Sequence, residues 1–172
     1  MHNRLNCNFE KDTARAQLAR GRFFLPKGGC SVANRTYATD REIEEVVGKF
    51  EGCQFALEEF THARHLTVAG WYLCTMSLEA ALSRMRDGLL RFIGHHGKQG
   101  FHETITRFWM ELLSSSLHQA PPKAQVMDKV NNILEIYTNK DVLFTYYSRD
   151  RVMSEAAKAN WVEPDLRRIA QQ

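Results

Sequence analysis

Residues 77–94, SLEAALSRMRDGLLRFIG, decide the fold class of this chain. Apolar side chains recur in this stretch at intervals of three and four residues, which is the spacing of one face of an α-helix. Ser77 stands where an N-cap residue is preferred, and Gly94 stands where helices commonly end. The stretch therefore predicts an amphipathic helix with one buried stripe, made of Leu78, Ala81, Leu82, Met85, Leu89, Phe92 and Ile93.

Helical spacing continues on both sides of this stretch. Residues 39–42, TDRE, form a capping-box pattern that opens a first helix. We predict a second helix over about residues 61–75, a fourth over about 102–117 and a fifth after Pro121 and Pro122. A shorter element begins at Val142, and no stretch shows the alternation of a half-buried strand. The sequence thus predicts an all-α fold, a compact bundle of about five main helices with an irregular C-terminal wrap.

The charge is distributed unevenly along the chain. Residues 1–39 contain seven Lys and Arg against two acidic residues, and the remainder contains 16 basic and 18 acidic residues. We expect residues 1–38 to form a basic, poorly ordered extension and residues 39–172 to form a single helical domain. A functional arm that binds an anionic partner, or sequence upstream of the true start, are the alternatives for the extension. The near-neutral domain argues against nucleic acid as its main partner.

Composition places the chain among soluble globular proteins. No apolar run reaches the roughly 18–20 residues that span a bilayer, and the N-terminus lacks the apolar core of a secretory signal. The four cysteines form neither a C-x-x-C pair nor a zinc-finger spacing. We therefore expect a cytoplasmic protein with no membrane partner, and leave open whether it forms a homo-oligomer.

Three histidines are the main candidates for a functional site. A helix turns about 100° per residue, so His62 and His65 fall on the apolar face of the second helix, while Thr67 and Gly70 fall on the opposite side. His102 occupies the start of the fourth helix among apolar residues, where the helix dipole favours the neutral imidazole. Neutral imidazole is the form that ligates metal or accepts a proton. We therefore predict a site between the second and fourth helices.

Two kinds of chemistry fit such a site. His62, His65 and His102 could ligate one transition metal, zinc or non-haem iron, with Glu103 or Glu58 as a further ligand or catalytic base. They could equally form an acid/base cluster without metal. A di-iron centre does not fit, because the E-x-x-H pattern that ends at His62 has no second copy. The alternative is a non-catalytic interaction or dimerisation module in which the histidines are structural.

The segment YYSRDR, residues 146–151, supplies candidate substrate-binding groups. Arg149 could bind a carboxylate through two hydrogen bonds, and Tyr147 could cover the histidine site. Solvated charges at the end of a helix are the other interpretation of this segment. The partner predicted for the site is a small molecule whose identity and reaction the sequence does not define.

Three segments carry a resemblance to a known family. FTHARHLTVAGWYL, HETITRFWMELL and YYSRDRVMSEAAKANWVEPDL resemble parts of a family of small bacterial all-helical proteins of uncharacterised activity. The resemblance covers the chain from about residue 40 onward and implies a helical unit that begins near Thr39. It implies no activity, cofactor or role for any residue.

Overall fold

The computed structural model describes residues 36–169, and every regular element in this part of the chain is a helix. The all-α prediction is therefore confirmed, and most of the predicted extension, residues 1–38, lies outside the described residues. Five main helices are followed by two short ones. Their bounds are α1 Asp40–Glu51, α2 His62–Thr75, α3 Leu78–His95, α4 Glu103–His118, α5 Val126–Tyr137, α6 Arg149–Val152 and α7 Glu155–Ala159, with 3₁₀ helices at Leu57–Glu59 and Lys140–Thr145.

The predicted caps account for where α1 and α3 begin. The Thr39 hydroxyl accepts a hydrogen bond from the Glu42 amide, and the Glu42 carboxylate accepts one from the Ala38 amide at 2.7 Å. The Ser77 hydroxyl accepts the Ala80 amide at 3.3 Å. Helix α3 continues one residue beyond Gly94, to His95. The two hydroxyl groups satisfy amides that the first turn of a helix leaves without a partner, and the Glu42 carboxylate satisfies an amide just before the helix.

Helix α2 is the centre of the bundle and packs against α1, α3, α4 and α5. Thr67 and Gly70, on the side opposite the histidines, are buried as well. A Cβ at Gly70 would lie 3.2 Å from side-chain atoms of both Val130 and Ile133, so glycine lets α5 approach closely. Helix α2 is therefore enclosed on both sides, because α5 covers the face that a single apolar stripe would leave in water.

A second close approach joins α1 to α3. The Phe50 ring is fully buried and stacks on Phe60 with 4.6 Å between ring centroids. Its edge lies against Gly88 of α3, where an added Cβ would be only 2.6 Å from the Phe50 ring. Phe60 directly precedes Thr61, the N-cap of α2, so this aromatic cluster helps to fix the position at which α2 begins.

The C-terminal segment wraps irregularly over α4, as predicted. Thr104 is fully buried, and its hydroxyl donates to the Asn160 carbonyl at 2.7 Å while accepting the Val162 amide at 3.0 Å. The Tyr147 hydroxyl donates to the Val162 carbonyl at 2.8 Å. The wrap is therefore attached to the bundle by buried hydrogen bonds, and it brings α6 beside the start of α4.

We predict that Gly88→Ala destabilises the fold by about 1–3 kcal/mol, because the new methyl group would force the stacked Phe50 ring to move. Gly48→Ala is the matched control, since Gly48 is an exposed helix residue with no atom within 4 Å of an added Cβ. That control should leave stability unchanged or raise it by up to about 1 kcal/mol. Urea unfolding followed by far-UV circular dichroism measures both changes, and equal stability of the two variants would contradict the close contact.

Candidate functional site

A pocket of about 780 Å³ lies between α2, α3 and α4, and its mouth is bordered by the second 3₁₀ helix and α6. Most of its wall is apolar. All three candidate histidines line it: His62 and His65 come from α2, and His102 is the residue that directly precedes α4. The apolar wall includes Leu66, Ala69, Met85, Leu89, Ile105 and Trp109.

His62 lies in the first turn of α2 and joins it to the end of α5. One of its ring nitrogens, Nε2, lies 3.0 Å from the Tyr137 carbonyl, so Nε2 carries the proton and donates. The ring meets Trp109 edge to face at 4.8 Å between centroids. Within residues 36–169 its other nitrogen, Nδ1, forms no hydrogen bond, which leaves one acceptor on this ring.

His65 lies one turn further along α2. Its Nδ1 donates to the Thr61 carbonyl at 2.9 Å, and its ring packs against Phe60 with 4.1 Å between centroids. The donation fixes the proton on Nδ1 and leaves Nε2 as an acceptor. No hydrogen-bond partner of Nε2 is found in the described part of the chain.

His102 differs from the other two because both of its ring nitrogens are engaged. It is the N-cap of α4, where Nδ1 accepts the Ile105 amide at 3.3 Å. Its Nε2 donates to the Val152 carbonyl at 2.9 Å. His102 therefore joins α4 to α6 and has no remaining ring lone pair for a ligand.

The surroundings of the three rings favour their neutral forms. Burial is the main cause that lowers the pKa of His62, of His65 and of His102 below the usual value, although the backbone hydrogen bonds act in the opposite direction. The positive charge of Lys140 lowers the pKa of His62 further. Neutral His62 and His65 can each accept one hydrogen bond or one proton from a bound molecule.

The two carboxylates expected to act with the histidines lie elsewhere. Glu103 forms two hydrogen bonds with the Arg86 guanidinium, one of them 2.8 Å from Nε to Oε2. Glu58 is exposed in the 3₁₀ helix before α2. Neither lines the pocket, whereas Asp141 does. The structure thus brings the histidines together without Glu58 or Glu103.

Of the two candidate substrate-binding residues, only one lines the pocket. Arg149 is exposed and lines the pocket, with its guanidinium carbon 4.0 Å from the centroid of the Phe144 ring. Tyr147 is fully buried, does not line the pocket, and is engaged by Val162. Burial also raises the pKa of Tyr147 well above its usual value. Its place is in the packing of the C-terminal wrap.

Sequence reasoning missed Lys140 and Asp141, which both line the pocket. The available signal was Asn139, whose side chain caps the 3₁₀ helix by accepting the Asp141 amide at 2.9 Å. Asparagine at this point predicts a turn but does not reveal which residues the turn presents to a distant helix. The position of these charges depends on tertiary packing.

Metal ligation has no complete set of ligands in the described part of the chain. Among residues 36–169, no group of three or more His, Cys, Asp or Glu side chains is placed to hold a metal ion. His62 and His65 are the two pocket histidines with an open ring nitrogen, and a mononuclear site needs at least one more ligand.

Comparisons with protein-family models, with curated proteins and with solved structures found no match for this chain. The resemblance to a bacterial helical family therefore stays a prediction. Within residues 36–169, no helix combines the length and the apolar character needed to cross a membrane.

We predict that His102→Ala destabilises the fold by about 1–3 kcal/mol, because it removes both the helix cap and the bond to the Val152 carbonyl. His102→Asn is the matched variant, since asparagine is also a good N-cap but is too short to replace imidazole at both partners. It should lose less stability than the alanine variant. Urea unfolding measures both, and an alanine variant as stable as the wild type would contradict a joining role.

Proposed function

We propose that this protein binds a small molecule with a largely apolar body in the pocket between α2, α3 and α4. His62 and His65 serve there as neutral acceptors of a hydrogen bond or a proton. One observation carries the proposal: two imidazoles that line an apolar pocket each use one nitrogen for structure and keep the other without a partner among the described residues.

The size and lining of the pocket support a small-molecule ligand. A volume of about 780 Å³ falls within the range of roughly 300–1,000 Å³ that is typical of such sites. Apolar walls with a few polar groups are the usual composition of these sites, since burial supplies affinity and the polar groups fix orientation. Here the polar groups are the imidazoles, the Thr106 hydroxyl and three charged residues at the mouth.

The imidazoles also fit acid/base chemistry. A neutral histidine can take a proton from a hydroxyl or amine of a bound molecule, and a lowered pKa keeps it unprotonated at neutral pH. His102 belongs to the supporting structure in this scheme, because both of its nitrogens are occupied. If no reaction follows, the same two nitrogens would only accept hydrogen bonds from the bound molecule.

A second candidate is a non-catalytic helical module in which the histidines are struts. It is favoured by two hydrogen bonds that join segments distant in sequence, from His62 to Tyr137 and from His102 to Val152. If the histidines served only this structural role, the pocket would bind no specific ligand. The two candidates are therefore separated by a test of the pocket.

We predict that the full-length protein binds the neutral fluorescent probe N-phenyl-1-naphthylamine saturably and with one-to-one stoichiometry. Ile93 lines the pocket and is half-buried, so Ile93→Trp should fill the space and abolish the rise in probe emission. Leu90→Trp is the matched control, because Leu90 lies on the same helix and is 48% exposed. Equal probe binding by the two variants would contradict a ligand pocket and favour the module.

The mononuclear metal hypothesis keeps His62 and His65 as its two open ligands. We expect protein purified without a histidine tag to contain no stoichiometric zinc or iron, because the described residues offer no third ligand beside them. Elemental analysis by plasma mass spectrometry checks this. One equivalent of metal that disappears in both His62→Ala and His65→Ala would overturn the metal-free proposal.

A further inference from the structure

The mouth of the pocket has an uneven charge. Three charged side chains line it, and two of them, Lys140 and Arg149, are cationic, against the single carboxylate of Asp141. Within residues 36–169, neither cation forms an ion pair with a carboxylate, and both are exposed. Lys140 begins the second 3₁₀ helix, and Arg149 begins α6. Their charges are therefore available to a bound molecule.

The Arg149 guanidinium is positioned to bind a planar anionic group such as a carboxylate. It lies over the Phe144 ring at 4.0 Å, and Phe144 itself lines the pocket. This contact restrains the guanidinium, and its N–H groups form no hydrogen bond among residues 36–169. A carboxylate can then accept two parallel hydrogen bonds at little further cost in side-chain freedom.

Lys140 places a second positive charge at the mouth. Its positive charge also lowers the pKa of His62. An anion bound by Arg149 and Lys140 would lie in the same pocket that His62 and His65 line. Asp141 at the same mouth would repel a second negative charge, which favours a monoanion.

We propose that the ligand of this pocket is an amphipathic monocarboxylate. Its apolar body would lie among the α2, α3 and α4 side chains, and its carboxylate would be bound by Arg149 and Lys140. The inference rests on the proposed function, because it assigns a chemical class to the occupant of the same pocket. Preferential binding of a neutral alcohol, or of an amine at Asp141, would contradict this proposal.

The test compares three molecules with the same apolar body: decanoate, decan-1-ol and decylamine. Each is titrated into the full-length protein at neutral pH, and the dissociation constant is measured by isothermal titration calorimetry. Decanoate should bind at least about tenfold more tightly than decan-1-ol, and decylamine should bind most weakly. The advantage of decanoate should shrink as salt is added, since the cations are exposed.

Charge-removing variants locate the carboxylate. Arg149→Gln and Lys140→Gln should each reduce the affinity for decanoate by about threefold to tenfold and leave decan-1-ol unchanged. Lys123→Gln is the matched control, because Lys123 is exposed in the loop between α4 and α5 and does not line the pocket. It removes the same net charge and should leave both affinities unchanged.

The outcomes separate the two levels of the proposal. Equal binding of decanoate and decan-1-ol, tighter binding of decylamine, or no effect of Arg149→Gln and Lys140→Gln would overturn the carboxylate assignment while leaving the pocket function in place. If none of the three molecules binds and the naphthylamine probe also fails to bind, the pocket function fails together with it.

Discussion

The enclosure of α2 by four other helices is the constraint on which the rest of this structure depends. The polar groups that this packing buries lose contact with water, so most of them form hydrogen bonds within the protein. Thr67 shows the result, because its hydroxyl donates to the Ala63 carbonyl and meets the Tyr37 hydroxyl at 3.1 Å. His62 and His65 show it too, since each donates to a backbone carbonyl.

The same constraint explains why the imidazoles are suited to a site. A carbonyl partner requires a proton on the bonded nitrogen, so the opposite nitrogen of a neutral ring must be an acceptor. For His62 and His65 that acceptor has no partner among the described residues, whereas His102 uses its acceptor to cap α4. Two of the three histidines can therefore accept a hydrogen bond from a ligand, and the third, His102, joins α4 to α6 in the wall of the pocket.

Much of the fold could be predicted because its signals are local. Thr39 and Ser77 begin helices through hydrogen bonds to amides three residues ahead, and such caps are visible in a few consecutive letters. The buried side of α2 that contains Thr67 and Gly70 could not be predicted in the same way. A helical wheel describes one helix, and the presence of α5 on that side is a property of the assembled bundle.

In the candidate site, too, the features set within one helix could be predicted, and those set by tertiary packing could not. Helical phase was sufficient to direct His62 and His65 towards the interior, because both lie within a single element. The partner of Glu103 is Arg86 on a different helix, and that ion pair accounts for its absence from the pocket. Lys140 and Asp141 line the pocket because the 3₁₀ helix after α5 is placed beside it in the folded protein, and nothing in their neighbouring residues indicates this.

The bond between His102 and Val152 bears on the order in which the protein assembles. The two residues are 50 positions apart, and the pocket wall as a whole extends from His62 to Met153. During synthesis from the N-terminus, the first four helices emerge well before the segment that completes this wall. Until residues 152 and 153 are synthesised, His102 lacks the Val152 carbonyl as a partner, and the pocket lacks the part of its wall that Met153 supplies. A ligand that needs every wall can therefore bind only a chain whose folding is nearly finished, so occupancy of the pocket would report completion of the fold.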